Sequence, residues 1–369
     1  MYRHALVIGK FYPPHAGHHH LVRTAATVAE RVTVVAMAAA TESLPLADRV
    51  RWLREVHAVD PGVVVTGVRC DAPMDLESET VWAAQVASMR AATAAVTATP
   101  IDVVLTGEAY GAELARRFGA AHVAVDPDRT QVPVSATAVR ADLAGHWHRL
   151  AAPVRRDLAC RVVVVGAEST GTTTVSQVLA EHYRARGGVW RATAWVPEYG
   201  RHYTVAKLAQ SRVGRPEAEV TDLVWTAPDF AVIAGRQNRM EDLAAATGSP
   251  LVVCDTDAFA TTIWERRYLG RDSHHARVAG TVDLPRRDVY LVTDHIGVPF
   301  VQDGLRDGEQ VRARMTGWFT AALTAAGHSW VLLTGTLDQR LRLAVRVVDQ
   351  LLAVRCSFAE PMKAEAVGG

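Results

Sequence analysis

Five short apolar, β-branched runs punctuate the first third of the chain: "HALVIG", "RVTVVAMA", "GVVVTGV", "DVVLTG" and "HVAVD". Between them lie "HHHLVRTAATVAE", "LADRVRWLREVH", "VWAAQVASMRAATAAV" and "GAELARRFG", whose apolar residues recur at helical spacing. Strand alternating with helix predicts an α/β fold with a parallel sheet covered on both faces. Near residue 160 the pattern starts again. "CRVVVVG" feeds "TTTVSQVLAEHYRARG", and "PLVVCDTD", "DVYLVTD" and "WVLLTG" supply further buried strands before a closing helix, "LDQRLRLAVRVVDQLLAV". The expected layout is a Rossmann-like domain over 1–152, a second parallel α/β domain of P-loop type over 153–356, and a flexible tail over 357–369. "AGHWHRLAAPVRRDLA", at 144–159 with Pro153 punctuating it, reads as the linker. No repeat of 20 to 50 residues stands out.

Composition adds exclusions. A chain of 369 residues exceeds one ordinary core, so two domains are expected on length as well. Forty Lys and Arg against 39 Asp and Glu leave a formal charge of +1. With no overall basic excess, neither nucleic acid nor an anionic membrane is an expected partner. Cys70, Cys160, Cys254 and Cys356 are far apart and form no C-x-x-C pair, which argues against a disulfide framework or a thiolate zinc site. The N-terminal apolar run is too short for a signal peptide and no later run is long enough to span a bilayer. A reducing, cytoplasmic setting is expected, and self-association is left open.

The first candidate for chemistry is "GKFYPPHAGHHHLV". Gly9 ends a strand, Pro13 and Pro14 stiffen a turn, and His15, Gly17 and His18 open a helix. A helix N-terminus favours anions, and His15, His18 and Lys10 would add donors or positive charge. The arrangement suits a phosphate attacking the α-phosphate of ATP, where the nucleophile is already an anion and positioning matters more than a base. His19 and His20 read as an ordinary helix face. For the histidines alone, metal binding is a competing reading.

The second candidate is "GAESTGTTT", between a four-valine strand and a helix, the context a Walker A loop requires. Gly166 and Gly171 have the right separation, Ser169 lies between them, and Thr173 stands where a hydroxyl would meet Mg²⁺. Thr172 occupies the place of the lysine that normally pairs with the β- and γ-phosphates. Backbone N–H groups can still cradle phosphate. Three further stretches accompany the loop: "PEYGR" (Glu198, Tyr199, Arg201), "CDTD" (Asp255, Asp257) and "VQDGLRDGEQVRARM" (Arg306, Arg312, Arg314). Each alone is equally a solvated charge or a helix cap.

Taken together the motifs resemble a known family. "GKFYPPHAGH" is similar to the H-x-G-H signature of the nucleotidyltransferase superfamily, and "VSATAVR" (Ser135, Thr137, Arg140) to its S-x-T-x-x-R partner, which holds the ATP phosphates. "LADRVRWLREVH", "TGEAYGAELARRFG" and "VDPDRTQVPVSAT" resemble NadR-type nicotinamide-nucleotide adenylyltransferases, and the second half resembles the ribosylnicotinamide kinase domain of the same proteins. The resemblance decides against metal at the histidines. It implies adenylyl transfer from ATP to nicotinamide mononucleotide with Mg²⁺, His15 and His18 on the reacting phosphates, Lys10 assisting, and Trp82 either stacked on nicotinamide or in the core. For the second half it implies phosphorylation of nicotinamide riboside: Glu198 as base, Asp255 on Mg²⁺ or ribose, with those two roles exchangeable, Tyr199 and Asp257 near substrate, and Arg306 and Arg312 closing from a lid. The missing lysine alternatively makes this half a silent nucleotide sensor, but Glu198, Asp255 and the lid arginines favour a rebuilt site. Some relatives carry a DNA-binding segment ahead of these domains, and because this chain begins at the catalytic strand a transcriptional regulator is not expected.

Overall fold

The computed structural model describes residues 1–72, 75–270, 286–306 and 308–361. It divides into two compact units, Met1–Val154 with Cys356–Gly369, and Arg155–Arg355. In the first, β1 (Tyr2–Gly9), β2 (Ala29–Ala38), β3 (Val63–Arg69), β4 (Val103–Thr106) and β5 (Ala121–Ala124) form one sheet in the order β3-β2-β1-β4-β5. Every pairing is parallel. Ala5, Leu6 and Val7 of β1 are fully buried, as a strand covered on both faces must be. The helices α1 (Ala16–Val28), α2 (Leu46–Val56), α3 (Glu79–Ala94), α4 (Gly111–Phe118) and α5 (Ala136–Ala141) follow the strands in turn. The order reverses across β1, between β2 and β4, which opens the usual ligand crevice at the carboxyl end of β1.

The second unit repeats the principle with β6 (Cys160–Gly166), β7 (Ala194–Val196), β8 (Leu251–Asp255), β9 (Val289–Thr293) and β10 (Trp330–Leu333), in the order β10-β9-β6-β8-β7. All four pairings are again parallel. The valines of β6 lie buried between β8 and β9. Helix α7 (Thr172–Arg184) follows β6, and α8 (Tyr199–Gly214), α9 (Ala227–Thr247), α10 (Ala258–Leu269), α11 (Arg312–Ala325) and α12 (Leu337–Arg355) complete the described α-helices, apart from α6 (Ala152–Leu158) just before β6.

The 144–159 stretch, expected as the linker, contains the division between the units at Val154 and Arg155 and is itself structured: it holds a 3₁₀ turn (Trp147–Arg149) and helix α6 (Ala152–Leu158). Trp147, Leu150, Val154 and Leu158 are all buried. Pro153 falls at the start of α6, where its missing N–H costs nothing. The tail, expected to be flexible, makes contacts where it is described. The Ala359 carbonyl accepts from the Tyr12 hydroxyl (3.0 Å), the Ala359 N–H donates to Ser43 Oγ (3.1 Å), and the Phe358 ring meets the Tyr12 ring edge-on. The remaining tail residues, 362–369, lie outside the described residues.

Because Trp147 is buried, Trp147→Ala should cost about 3–5 kcal/mol, as deleting a core aromatic does. Differential scanning calorimetry reads this as a lowered melting temperature, and an unchanged thermogram would show that Trp147 carries no core packing.

Candidate active sites

At the end of β1 the chain places two imidazoles at the start of α1 through a reciprocal cap. His15 is the N-cap residue: its Nδ1 accepts the Gly17 N–H (3.2 Å), while the His15 N–H donates to Nδ1 of His18 (3.3 Å). A nitrogen that accepts carries no proton, so both rings are held as the Nε2–H tautomer. The rings stack 3.8 Å apart, with Phe11 against the edge of His18. Burial, with Arg129 and Arg140 nearby, lowers His15 to about 4, and burial beside His15 lowers His18 well below the ordinary imidazole range. Both are therefore neutral donors at neutral pH, which narrows the earlier expectation of donors or positive charge. Nε2 of His15 is buried and has no hydrogen-bond partner within the protein.

The partner motif arrives from α5. Ser135 caps that helix by accepting the Ala138 N–H (3.1 Å). Arg140 donates to the Tyr12 carbonyl (2.9 Å) and to Thr137 Oγ1 (3.2 Å), and its guanidinium lies over the Tyr12 ring. Residues 12 to 18 and 135 to 140 are thereby joined. Lys10 is less free than its position suggests. Its Nζ pairs with Glu42 Oε1 (2.8 Å), and Glu42, held below the usual carboxylate range by Lys10 and Arg49 against its own desolvation, also takes the buried Arg49 (2.6 Å). Arg49 in turn donates to the Lys10 carbonyl (3.0 Å). The sequence reading gave no role to Glu42 or Arg49, whose pairing is made by the fold.

Two further side chains near this site are packed inside. His19 lies on the buried face of α1. It is buried, its Nδ1 meets His57 Nε2 (3.0 Å), and His57 Nδ1 meets Asp60 (2.6 Å). Trp82 is 4% exposed, sits among Leu6, Ile8, Val86 and Met89, and donates from Nε1 to the Leu76 carbonyl (3.0 Å). It borders a cavity of only about 60 Å³ beside Gly9 and Lys10, and Arg117 lies over its ring. Of the two roles weighed for Trp82, the ring as placed fills the core one.

The second unit contains a cavity of about 580 Å³ at the carboxyl ends of β6 and β8. Gly166, Ser169, Thr172, Thr173, Glu198 and Asp255 all line it. The loop backbone is fixed by its glycines: Gly171 has φ +88°, and a Cβ on Gly166 would meet Thr293 Oγ1 at 2.2 Å. Thr173 Oγ1 donates to Asp255 Oδ2 (2.6 Å), and the Thr172 hydroxyl bonds the same carboxyl group. Desolvation raises Asp255 to about 6 against those hydrogen bonds. Desolvation, then the Asp255 charge, raises Glu198 to about 7. Two carboxyl groups thus titrate near neutrality beside a phosphate loop, a pattern that belongs to acid–base and cation chemistry.

Three residues expected at this site are used elsewhere. Asp257 is fully buried and does not line the cavity. It caps α10 through the Ala260 N–H, accepts from the Tyr290 hydroxyl (2.7 Å) and pairs with Arg287 (3.1 Å). Arg312 is buried under the loop, donating to the carbonyls of Ser169 (3.0 Å) and Val298 (2.9 Å), so it is a strut and not a lid. Arg340 acts likewise on the Thr170 carbonyl (3.0 Å). Tyr199 is outside the lining, and Arg314 lies over Trp318 on α11. Arg306 does line the cavity. What the sequence reading missed is an aromatic end to the cavity, made by Trp225, Phe230, Trp264 and Tyr268, with Trp225 and Tyr268 centroids 5.3 Å apart. The signal was available in "VWTAPDF" and "FATTIWERRYL", dense in rings for a chain that is 7% aromatic.

Comparison with known proteins agrees with this division. Residues 6–142 match the cytidylyltransferase-like family and residues 161–340 the AAA domain family. The chain is 23% identical over 313 residues to the trifunctional NAD biosynthesis/regulator protein NadR of Salmonella typhimurium, covering 82% of this chain and 71% of that protein. It is 23% identical over 314 residues to the protein of the same name from Escherichia coli K12, with the same coverage. Among solved structures, a NadR protein in complex with NR superposes with a TM-score of 0.67 at 21% identity, covering 95% of this chain and 96% of the other. A NadR protein in complex with NAD and AMP-PNP gives 0.65 at 22% identity, covering 100% and 99%. Among the described residues no helix is long and apolar enough to cross a membrane.

The raised carboxyl groups have a consequence for stability. Glu198, at about 7 when folded against 4.5 unfolded, binds its proton more tightly in the native state. Its favourable contribution is complete below the unfolded value and is lost as pH rises through the folded one. Glu198→Gln should therefore raise the melting temperature of the second unit at about pH 8 and not at about pH 4. Equal effects at both pH values in thermal scans would contradict the assignment.

Proposed function

We propose that this chain, a NadR-type protein in both of its units, makes NAD in two ATP-dependent steps: phosphorylation of nicotinamide riboside in the second unit, and adenylylation of the resulting mononucleotide in the first. The observation that carries this reading is the presence in one chain of two anion cradles of different chemistry. One offers neutral N–H donors, the other a phosphate loop beside carboxyl groups raised to about 6 and 7.

In the first unit the mononucleotide's phosphate oxygen attacks the α-phosphorus of ATP, and the bond to the β-phosphate breaks to release pyrophosphate. The nucleophile is an anion, so no base is needed. Negative charge accumulates on the α-phosphoryl oxygens, and donors already aimed there stabilise it without reorganisation. Nε2–H of His15 and of His18, the α1 N-terminus and Arg140 are the groups this reading places there. Burial keeps the imidazoles neutral, and the mutual cap keeps the proton on Nε2. Lys10, fixed by Glu42, contributes field more than contact.

In the second unit the riboside's 5′-oxygen attacks the γ-phosphorus, the bond to the β-phosphate oxygen breaks, and the hydroxyl proton passes to a carboxylate. Glu198, at about 7, is poised to accept it. The aromatic end of the cavity suits a cationic pyridinium, which binds ring faces well. Mg²⁺ fits the oxygen donors present, Thr173 Oγ1 and Asp255, since it commonly takes one or two carboxylates and completes its shell with phosphate and water. When bound it would neutralise charge on the phosphates. The cytoplasm, where Cys160 and Cys254 stay reduced, is the compartment that fits.

Supplying nicotinamide riboside, ATP and Mg²⁺ to the intact protein should yield NAD, followed by chromatography. NAD from the mononucleotide but never from the riboside would leave the second unit a nucleotide-binding domain without turnover. For the first unit, His18→Ala should slow adenylyl transfer by about two orders of magnitude, the usual loss on removing one preorganised donor. Riboside phosphorylation in the same variant serves as the internal control, and a near wild-type adenylylation rate would refute the assignment.

A further inference from the structure

The phosphate loop lacks its lysine, yet the cavity it faces holds at least two carboxyl groups, Glu198 and Asp255, with Glu168 on the loop itself. A polyphosphate entering such a site needs a cation from elsewhere. Thr172, in the lysine's place, turns its hydroxyl to Asp255 and brings no charge. Arg312 and Arg340 are spent on the loop's own carbonyls. Among the described residues lining the cavity, the arginines are Arg201 and Arg306.

These two differ in how they are held. Arg306 donates to the Val301 carbonyl at 2.6 Å and lies 3.5 Å from Ser169 Oγ, so its guanidinium is tied to the backbone of its own segment. Arg201 rises from the first turn of α8, three residues after Glu198, and its Nη2 pairs with Asp303 Oδ2 at 2.8 Å. Its side chain is 48% exposed. Asp303 accepts Arg306 as well, at 3.4 Å, so one carboxylate serves both arginines. Arg201 is held by a side-chain carboxylate, whereas Arg306 is held also by a backbone carbonyl, so Arg201 is the freer of the two to turn to a phosphate in the cavity both line.

We infer that Arg201 is the cation that replaces the loop lysine in riboside phosphorylation, with Asp303 holding it at the cavity mouth until the ATP phosphates take over as its partner. The inference rests on the kinase reading of the second unit. As the γ-phosphoryl group leaves the β-phosphate oxygen for the 5′-oxygen of the riboside, negative charge grows on that bridging oxygen. A guanidinium from α8 meets it there in place of an ammonium from α7. The exchange of Asp303 for phosphate substitutes one bidentate-capable anion for another and leaves no charge unpaired.

The test uses the full-length protein with ATP, Mg²⁺ and nicotinamide riboside, and compares wild type, Arg201→Ala, Arg201→Lys, and Arg201→Ala combined with Thr172→Lys. Arg201→Ala should lower kcat for phosphorylation about 100-fold or more while KM for the riboside moves less than about threefold, because the lost contact belongs to the transferring phosphate. Arg201→Lys should retain more activity than the alanine variant. Thr172→Lys should raise the rate at least about tenfold more in the Arg201→Ala background than in the wild-type background, since two cations doing one task are not additive. Adenylyl transfer to the mononucleotide, assayed in every variant, controls for the first unit, and a retained KM for the riboside reports that the second unit is folded. An active wild type whose Arg201→Ala variant stays within about threefold in kcat, or whose Thr172→Lys gain is equal in both backgrounds, overturns the role of Arg201. A wild type that makes no mononucleotide refutes the kinase reading itself, a distinct result.

Discussion

Both candidate sites depend on one property of the peptide backbone: the first N–H groups of a helix have no carbonyl to bond within it. A parallel strand that runs directly into a helix delivers those groups to the sheet's carboxyl edge, and here it happens after β1 and again after β6. What differs is how each start is filled. At α1 the orphan donors are partly met by two imidazoles, and the cap that satisfies the backbone also sets which ring nitrogen keeps its proton. At α7 the loop is left open, with Gly171 in the left-handed region and no side-chain cap. One helix start thus presents side-chain donors and the other presents backbone.

The surrounding charges follow from these choices. In the first unit, Glu42 is paired with both Lys10 and Arg49. The buried Glu42–Arg49 pair adds little net stability by itself, but removing either partner would strand a charge and displace Lys10. Around the loop, burial and the Asp255 charge instead raise Glu198, and the arginines lining the cavity come from α8 and from the segment after β9. A fixed lysine would hold its charge in the loop at all times. Arginines tethered to Asp303 keep theirs at the rim of an open cavity, where an incoming anion can redirect it.

Much of the fold was legible because burial on both faces of a parallel strand demands a short β-branched run, and such runs stand out at every central position. The motif residues after the strands were legible for a related reason: Gly171 marks a left-handed turn and Gly166 a place where Thr293 leaves no room for a Cβ. Sequence carries residue type and spacing but not the direction of a side chain. Asp257 therefore read as a substrate contact beside Asp255, yet Thr256 between them takes a positive φ of 70°, which breaks the strand's alternation and turns Asp257 into Arg287 and Tyr290. Arg312 read as a lid for the same reason, and the contacts that make it a strut lie far away in sequence, at Ser169. The aromatic wall was invisible as a wall because Trp225 and Tyr268 come from separate elements joined only by the fold.

Burial without full pairing unites the two chemistries. It lowers the imidazoles, whose charged form is the protonated one, and raises the carboxyl groups, whose charged form is the deprotonated one. The same desolvation therefore leaves a neutral donor in one unit and a carboxyl group balanced between acid and base in the other. That division matches what each transfer lacks. A phosphate nucleophile arrives deprotonated and needs only donors for the charge it creates, whereas a ribose hydroxyl arrives with its proton and needs somewhere to leave it.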